Sequence, residues 1–288
     1  MSRTPPGGLF AFGLGFSASV FARRLRDEGW RVAGTTRDAG KARALREEGI
    51  EAFVTADFGD LPDAALDGVT HVLSSVAPDE DGDPVLRARL PRLRALGSLA
   101  WAGYLSSTAV YGDRDGAWVG EGDALDPVST RARRRVRAEG AWLASGLPVH
   151  VFRLAGIYGP GRNPLEQVRA GKAHRIVKPG QVFSRIHVED IAATLRASMA
   201  RPNPGAVYNV CDDLPAAPQD VVAYAAGLLG VEPPPKVPFE QADLSPMARA
   251  FYADNRRVAN DRIRRELGVE LAFPDYKAGL AALRAAMG

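Results

Sequence analysis

Three groups of residues have types and spacing that could do chemistry. The run Gly13-Leu14-Gly15-Phe16-Ser17-Ala18 follows an apolar stretch and leads into a helical pattern. Gly13 would make a tight turn, Gly15 would let the backbone approach a pyrophosphate, and Ala18 would let the new helix pack close to the strand. That helix, opening at Phe16 and Ser17, would turn its free N–H groups and positive dipole end toward phosphates. Glycines between a strand and a helix also serve as plain turns, so the motif needs its context. A second group is His187 with Asp190, three residues apart at a helix opening. They could form an acid–base pair. The reading adopted is structural, with the aspartate as a cap or first-turn charge and the histidine as a packing residue. A third is the basic run Arg131, Arg133, Arg134, Arg135 and Arg137. Nucleic-acid binding would want a broader basic stripe with interleaved aromatics, so this run reads as a solvated helix face.

The elements that must position these residues alternate. Strands are expected at 9–12, 31–36, 50–55, 69–75, 101–106 and 149–154. Helices follow most of them, at 16–28, 39–48, 84–97 (with a kink or restart at Pro91) and 129–145. This rhythm predicts parallel βαβ units and a doubly wound α/β sheet. Beyond residue 155 the chain is rich in Gly, Pro and Arg. It returns to helix at 188–200 and strand at 207–210, with helices at 165–170, 218–230, 260–267 and 275–287. Residues 1–155 with 185–211 are therefore expected to form a dinucleotide-binding (Rossmann) domain. Residues 156–184 with 212–288 are expected to form a smaller, discontinuous C-terminal substrate lobe.

Ligands on such a sheet sit beyond the carboxyl ends of its strands. The glycine turn, Thr36-Arg37, Asp57-Phe58, the segment Ser74-Ser75-Val76 and residues 106–111 would converge there. A typical NAD site has a carboxylate at the end of the second strand to hold the ribose 2′-OH. Here Thr36 takes that position and Arg37 follows it, so a 2′-phosphate would be received rather than repelled. NADP is accordingly expected over NAD, the other reading being that Arg37 faces solvent.

Taken in order, several segments resemble the extended short-chain dehydrogenases/reductases of the NAD-dependent epimerase/dehydratase family. They are the glycine turn, Asp57, residues 105–112 (Leu-Ser-Ser-Thr-Ala-Val-Tyr-Gly), residues 153–161 (Arg-Leu-Ala-Gly-Ile-Tyr-Gly-Pro-Gly), residues 186–192 (Ile-His-Val-Glu-Asp-Ile-Ala) and Tyr208-Asn209-Val210. The resemblance spans nearly the whole chain. It implies a nicotinamide cofactor on the sheet and a substrate, often a nucleotide-sugar, at the C-terminal lobe. It also implies that Asp57 contacts adenine, where the residue itself reads equally as a turn aspartate. Ser107 falls at the family's catalytic Ser/Thr position, where it would hydrogen-bond a substrate oxygen; otherwise it caps a strand end.

The family's Tyr and the Lys four residues after it fall on Arg131 and Arg135. The spacing still shares one helix face. A guanidinium, however, stays protonated and cannot shuttle a proton near neutral pH as a tuned phenol can. The chain is thus expected to be an atypical member. Arg131 and Arg135 would bind cofactor or an anionic substrate, and Tyr111 and Tyr158 are alternative proton donors.

Composition narrows the rest. The 288 residues carry 37 Lys and Arg against 34 Asp and Glu, a net charge of +3, which gives no polyanion-binding excess. One cysteine, Cys211, leaves no internal disulfide, and four scattered histidines form no metal-ligand cluster. No stretch is apolar enough to span a bilayer. Arg3, the apolar run and the small residues Ala18 and Ala22 could suggest a secretory leader, but Pro5-Pro6-Gly7-Gly8 interrupts that pattern. The expectation is a cytoplasmic monomer or homodimer without nucleic-acid or membrane partners. It would act as an NADP-binding oxidoreductase or epimerase-like enzyme on a small, anionic carbonyl or alcohol compound. The alternative is a catalytically silent NADP-binding sensor or partner-binding protein.

Overall fold

A computed structural model describes residues 7–288; Arg3 and Pro5-Pro6, which bear on the leader reading, lie outside the described residues. The chain runs through β1 (Gly8–Phe12), α1 (Phe16–Asp27), β2 (Arg31–Thr36), α2 (Ala39–Glu47), β3 (Glu51–Val54), β4 (His71–Ser74), α3 (Pro84–Arg94), β5 (Trp101–Ser107), α4 (Thr130–Leu143) and β6 (Val149–Leu154). It continues through α5 (Pro164–Arg169), α6 (Val188–Ala200), β7 (Val207–Val210), α7 (Pro218–Leu229), α8 (Pro246–Phe251), α9 (Asp261–Leu267) and α10 (Tyr276–Ala285). The seven strands form one parallel sheet in the order β7-β6-β5-β4-β1-β2-β3. The order reverses on either side of β1, and that switch point is where a doubly wound sheet leaves a crevice.

Local sequence explains these elements. All five residues of β1 are shielded from solvent, as the apolar run predicts for a central parallel strand. On α1 the fully buried Ala18, Phe21, Ala22 and Leu25 follow the i, i+3, i+4, i+7 spacing of one helical face. At Gly34 a Cβ would lie 2.4 Å from the Ala11 carbonyl oxygen, so glycine is what lets β2 approach β1 there. Helix α3 continues through Pro91, where the sequence predicts a kink or restart. Proline removes one backbone donor, and Asp83 anchors the helix start by accepting from the Val85 and Leu86 amides, both at 3.0 Å.

The chain divides into two compact units. The first holds residues up to Ser107, Arg133–Arg153 and Ile191–Tyr208; the second holds Thr108–Ala132, Leu154–Asp190 and Asn209–Gly288. Residues 108–132, expected with the nucleotide-binding domain, therefore group with the second unit. One reason is that Trp118–Val119 pairs in parallel with Arg257–Val258. The core of the first unit gathers Phe10, Phe12, Leu66, Val72, Val85, Tyr104 and Trp142. That of the second gathers Tyr158, Leu165, Val221, Ala225, Tyr276 and Leu280.

Candidate functional site

The glycine turn is built by specific bonds. The Gly13 amide donates to the Thr35 hydroxyl at 2.9 Å, and the Leu14 amide to the Thr35 carbonyl at 2.6 Å. Gly13 has φ +83°, and a Cβ there would sit 3.2 Å from a methyl of Val76, so the turn needs glycine twice over. At Gly15 a Cβ would meet nothing nearer than the Ser75 hydroxyl at 3.6 Å. This glycine is exposed. Helix α1 has no side-chain cap and no acidic residue in its first turn. A positive helix end without a resident anion is what a pyrophosphate requires. Behind it, the Ser74 hydroxyl is fully buried with no hydrogen-bond partner. Ser17 and Ala18 are buried and Phe16 is partly so; Ser75 continues β4 by donating its amide to the Phe12 carbonyl at 2.9 Å. The residues present fit a dinucleotide.

Thr36 ends β2, and its hydroxyl accepts from the Asp38 amide at 3.3 Å. Arg37 is exposed and makes no ion pair or hydrogen bond among the described residues. The carboxylate that follows it, Asp38, caps α2 by accepting from the Lys41 amide at 2.9 Å. Asp57 caps the short turn 58–60 by accepting from the Gly59 amide at 2.8 Å, and remains exposed. Phe58 packs edge-on against Phe12, with ring centroids 5.6 Å apart.

Sequence reasoning missed what holds this turn. Arg89, almost wholly buried on α3, donates to the carbonyls of Phe58 (2.5 Å), Gly59 (3.2 Å) and Leu61, and pairs with Asp63 at 2.7 Å. An arginine on an ordinary amphipathic helix gives no pattern that would reveal this role.

Ser107 is the last residue of β5 and is partly exposed. Arg135 on α4 donates to the Leu105 carbonyl at 2.7 Å and the Tyr104 hydroxyl at 3.2 Å. Its guanidinium carbon lies 5.9 Å from the Tyr104 ring centre. The arginine is thus anchored at the carboxyl end of β5 within the first unit. Burial pushes the Tyr104 phenol up to about 12, so it stays protonated. Farther along α4, Glu139 is buried with Arg153 of β6, at 2.8 Å, and accepts from the Ser106 hydroxyl at 2.5 Å.

The remaining candidates belong to the second unit. Arg131 is exposed on the first turn of α4. Tyr111 is fully buried and donates its hydroxyl to the Asn209 side-chain oxygen at 2.7 Å, an arrangement that suits a structural tyrosine. Tyr158 is buried too, its hydroxyl 3.4 Å from the Asp275 carbonyl, and burial raises its pKa. Asp190 caps the turn at 272–273, accepting from the Ala272 amide at 2.8 Å and the Phe273 amide at 3.1 Å. His187 packs on Phe273, ring centroids 4.0 Å apart, and burial lowers its pKa to about 4. The structural reading of the His187–Asp190 pair is the one these bonds describe. Among the described residues no group of His, Cys, Asp and Glu could hold a metal ion, and no helix is long and apolar enough to cross a membrane.

No family model matches the chain. It is 30% identical over 287 residues to Protein YeeZ of Escherichia coli strain K12, covering 91% of this chain and 95% of that protein. It is similar to a conserved protein of unknown function from Silicibacter pomeroyi: 56% identity, TM-score 0.92, 97% of this chain and 99% of the other. It is also similar to a proposed NAD-dependent epimerase/dehydratase from Methylobacillus flagellatus: 25% identity, TM-score 0.73, 98% of each chain.

Proposed function

Because this chain belongs to the family of Protein YeeZ, within the extended short-chain dehydrogenases/reductases of NAD-dependent epimerase/dehydratase type, we propose that it is an NADP-binding oxidoreductase or epimerase-like enzyme. The observation that carries the reading is the uncapped glycine turn with an exposed arginine, without a partner among the described residues, just past the end of the neighbouring strand. Gly13, Gly15 and the first turn of α1 would receive the pyrophosphate. Thr36 and Arg37 would receive a 2′-phosphate, the guanidinium doing so through two parallel N–H donors. Asp57 and Phe58, held by Arg89, would face the adenine. A bound nicotinamide would supply hydride exchange. Ser107 would donate a hydrogen bond to the substrate oxygen. Arg135, already tied to Leu105 and Tyr104, would offer its remaining donors to a ribose or an anionic substrate group. Neither Arg131 nor Arg135 can move a proton near neutral pH, so they bind and orient only.

That same chemistry favours a second reading, a protein that binds NADP and responds to it without turnover. The two separate in one assay, which follows NADPH absorbance with a panel of sugars and carbonyl compounds. The enzyme reading expects turnover with at least one compound, falling on the order of 100-fold in Ser107→Ala with cofactor affinity kept. Tight NADPH binding with no turnover of any compound would favour the silent protein.

A further inference from the structure

Helix α3 buries a charge on its apolar face. Arg89 is only 6% exposed and shares that face with Val85, Leu86 and Leu93. An apolar side chain there would pack without the cost of desolvating a guanidinium. The carboxylate paired with it, Asp63 at 2.7 Å, is itself largely exposed. What the buried donors reach is backbone. Nε donates to the Phe58 carbonyl at 2.5 Å, and Nη2 to the Gly59 carbonyl at 3.2 Å and to the Leu61 carbonyl. The fixed fork of a guanidinium can serve several carbonyls of one turn at once, which an ammonium or an apolar group cannot.

The turn it holds has little else to keep its shape. Asp57, Gly59 and Asp60 are exposed, and Phe58 and Leu61 supply the buried apolar contact. The turn's own backbone bonds, Asp60 amide to Asp57 carbonyl and Leu61 amide to Phe58 carbonyl, are both 3.3 Å long. The Phe58–Gly59 peptide is gripped at both ends. Its C=O accepts from Arg89, and its N–H donates to Asp57 Oδ1 at 2.8 Å. The arginine and the Asp57 carboxylate are therefore joined through one rigid peptide plane. Asp57 Oδ2 has no partner among the described residues.

From this geometry we infer that Arg89 is a positioning residue that makes the cofactor site selective for adenine, by fixing the Phe58–Gly59 peptide that aims the Asp57 carboxylate. The inference rests on the cofactor reading above, in which Asp57 faces the adenine. In it, Oδ2 accepts from the 6-amino group of adenine. Hypoxanthine carries an oxygen at that position, an acceptor that a carboxylate repels. Such discrimination needs the carboxylate held in place beforehand, because one free to swing away would accommodate either base. Every residue involved lies in the first unit.

The test is calorimetric titration of the full chain with NADPH and with its hypoxanthine analogue. The variants are Arg89→Met, Arg89→Lys, Asp57→Ala, and Arg89→Met combined with Asp57→Ala. Thermal melts set a common temperature at which all of them are folded. Arg89→Met keeps the bulk and loses the donors. Arg89→Lys keeps the charge beside Asp63 and loses the fork, and it carries the test if the methionine variant does not fold. The wild type is expected to prefer NADPH over the analogue by about 10-fold or more. Asp57→Ala and both Arg89 variants are expected to bring the two affinities within about 2-fold of each other, and the combined variant to change the ratio no further. A purely structural arginine would weaken both nucleotides alike. A folded Arg89 variant that keeps the wild-type preference therefore overturns the inference, as does a wild type that binds both nucleotides equally. A wild type that binds neither overturns the cofactor reading and the inference with it, a result distinct from the other two.

Discussion

At the residue scale, burial changes the charge state of particular side chains. Asp212 shows this best. Desolvation raises its carboxyl from the usual 3.8 to about 8, opposed chiefly by Arg185, with Asp213 adding repulsion; the Tyr158 phenol and the Cys211 thiol also feel its charge. A folded-state value above the unfolded one means the folded chain holds a proton that the unfolded chain releases. The stability this gives is complete below about pH 4 and is lost as pH rises through about 8. Asp212→Asn should remove that slope. Thermal melts across this window should therefore show the variant gaining on the wild type as pH rises. A constant difference between the two would show that Asp212 is not held neutral. Chemistry of this kind is hard to read in a sequence. The groups coupled to Asp212 include Tyr158 and Arg185, far from it along the chain. By contrast the turn at Gly13 and the strand end at Thr36 were legible, because a turn and a strand end are local.

At the element scale, α4 carries Arg131 and Arg135, where the resemblance would put a Tyr and a Lys, and an unexpected tie to the sheet. The helix forms nearly where the sequence predicts. Glu139, however, has no role that the sequence pattern announces. Its burial against Arg153 and Ser106 depends on which face α4 turns to β5 and β6. Glu139→Leu should cost about 3–5 kcal/mol, because it strands a buried guanidinium. Adding Arg153→Met should restore most of that stability, since a well-packed apolar pair removes both desolvation penalties. Urea unfolding of the single and double variants checks this. Equal losses in both would mean that the pair itself stabilises the fold. The short pairings of the second unit, such as Trp118–Val119 with Arg257–Val258, were not legible. Two residues carry too little periodicity to announce a strand.

At the scale of the whole molecule, the alternating strand–helix rhythm led to the doubly wound parallel sheet that the structure has; the strand order with its switch point at β1 comes from the structure. The rhythm did not give the division of the chain, because 108–132 joins the second unit through contacts with residues near 255 that no local pattern encodes. In the first unit, the proposed phosphate cradle lies beside β1, with Arg37 as the proposed partner of a 2′-phosphate. The most direct measurement is calorimetric titration of the wild type and Arg37→Ala with NADPH and with NADH. The account predicts that the wild type prefers NADPH by at least about 10-fold, and that Arg37→Ala loses the preference while its NADH affinity stays unchanged. Equal affinities in the wild type, or no binding of either nucleotide, would contradict it.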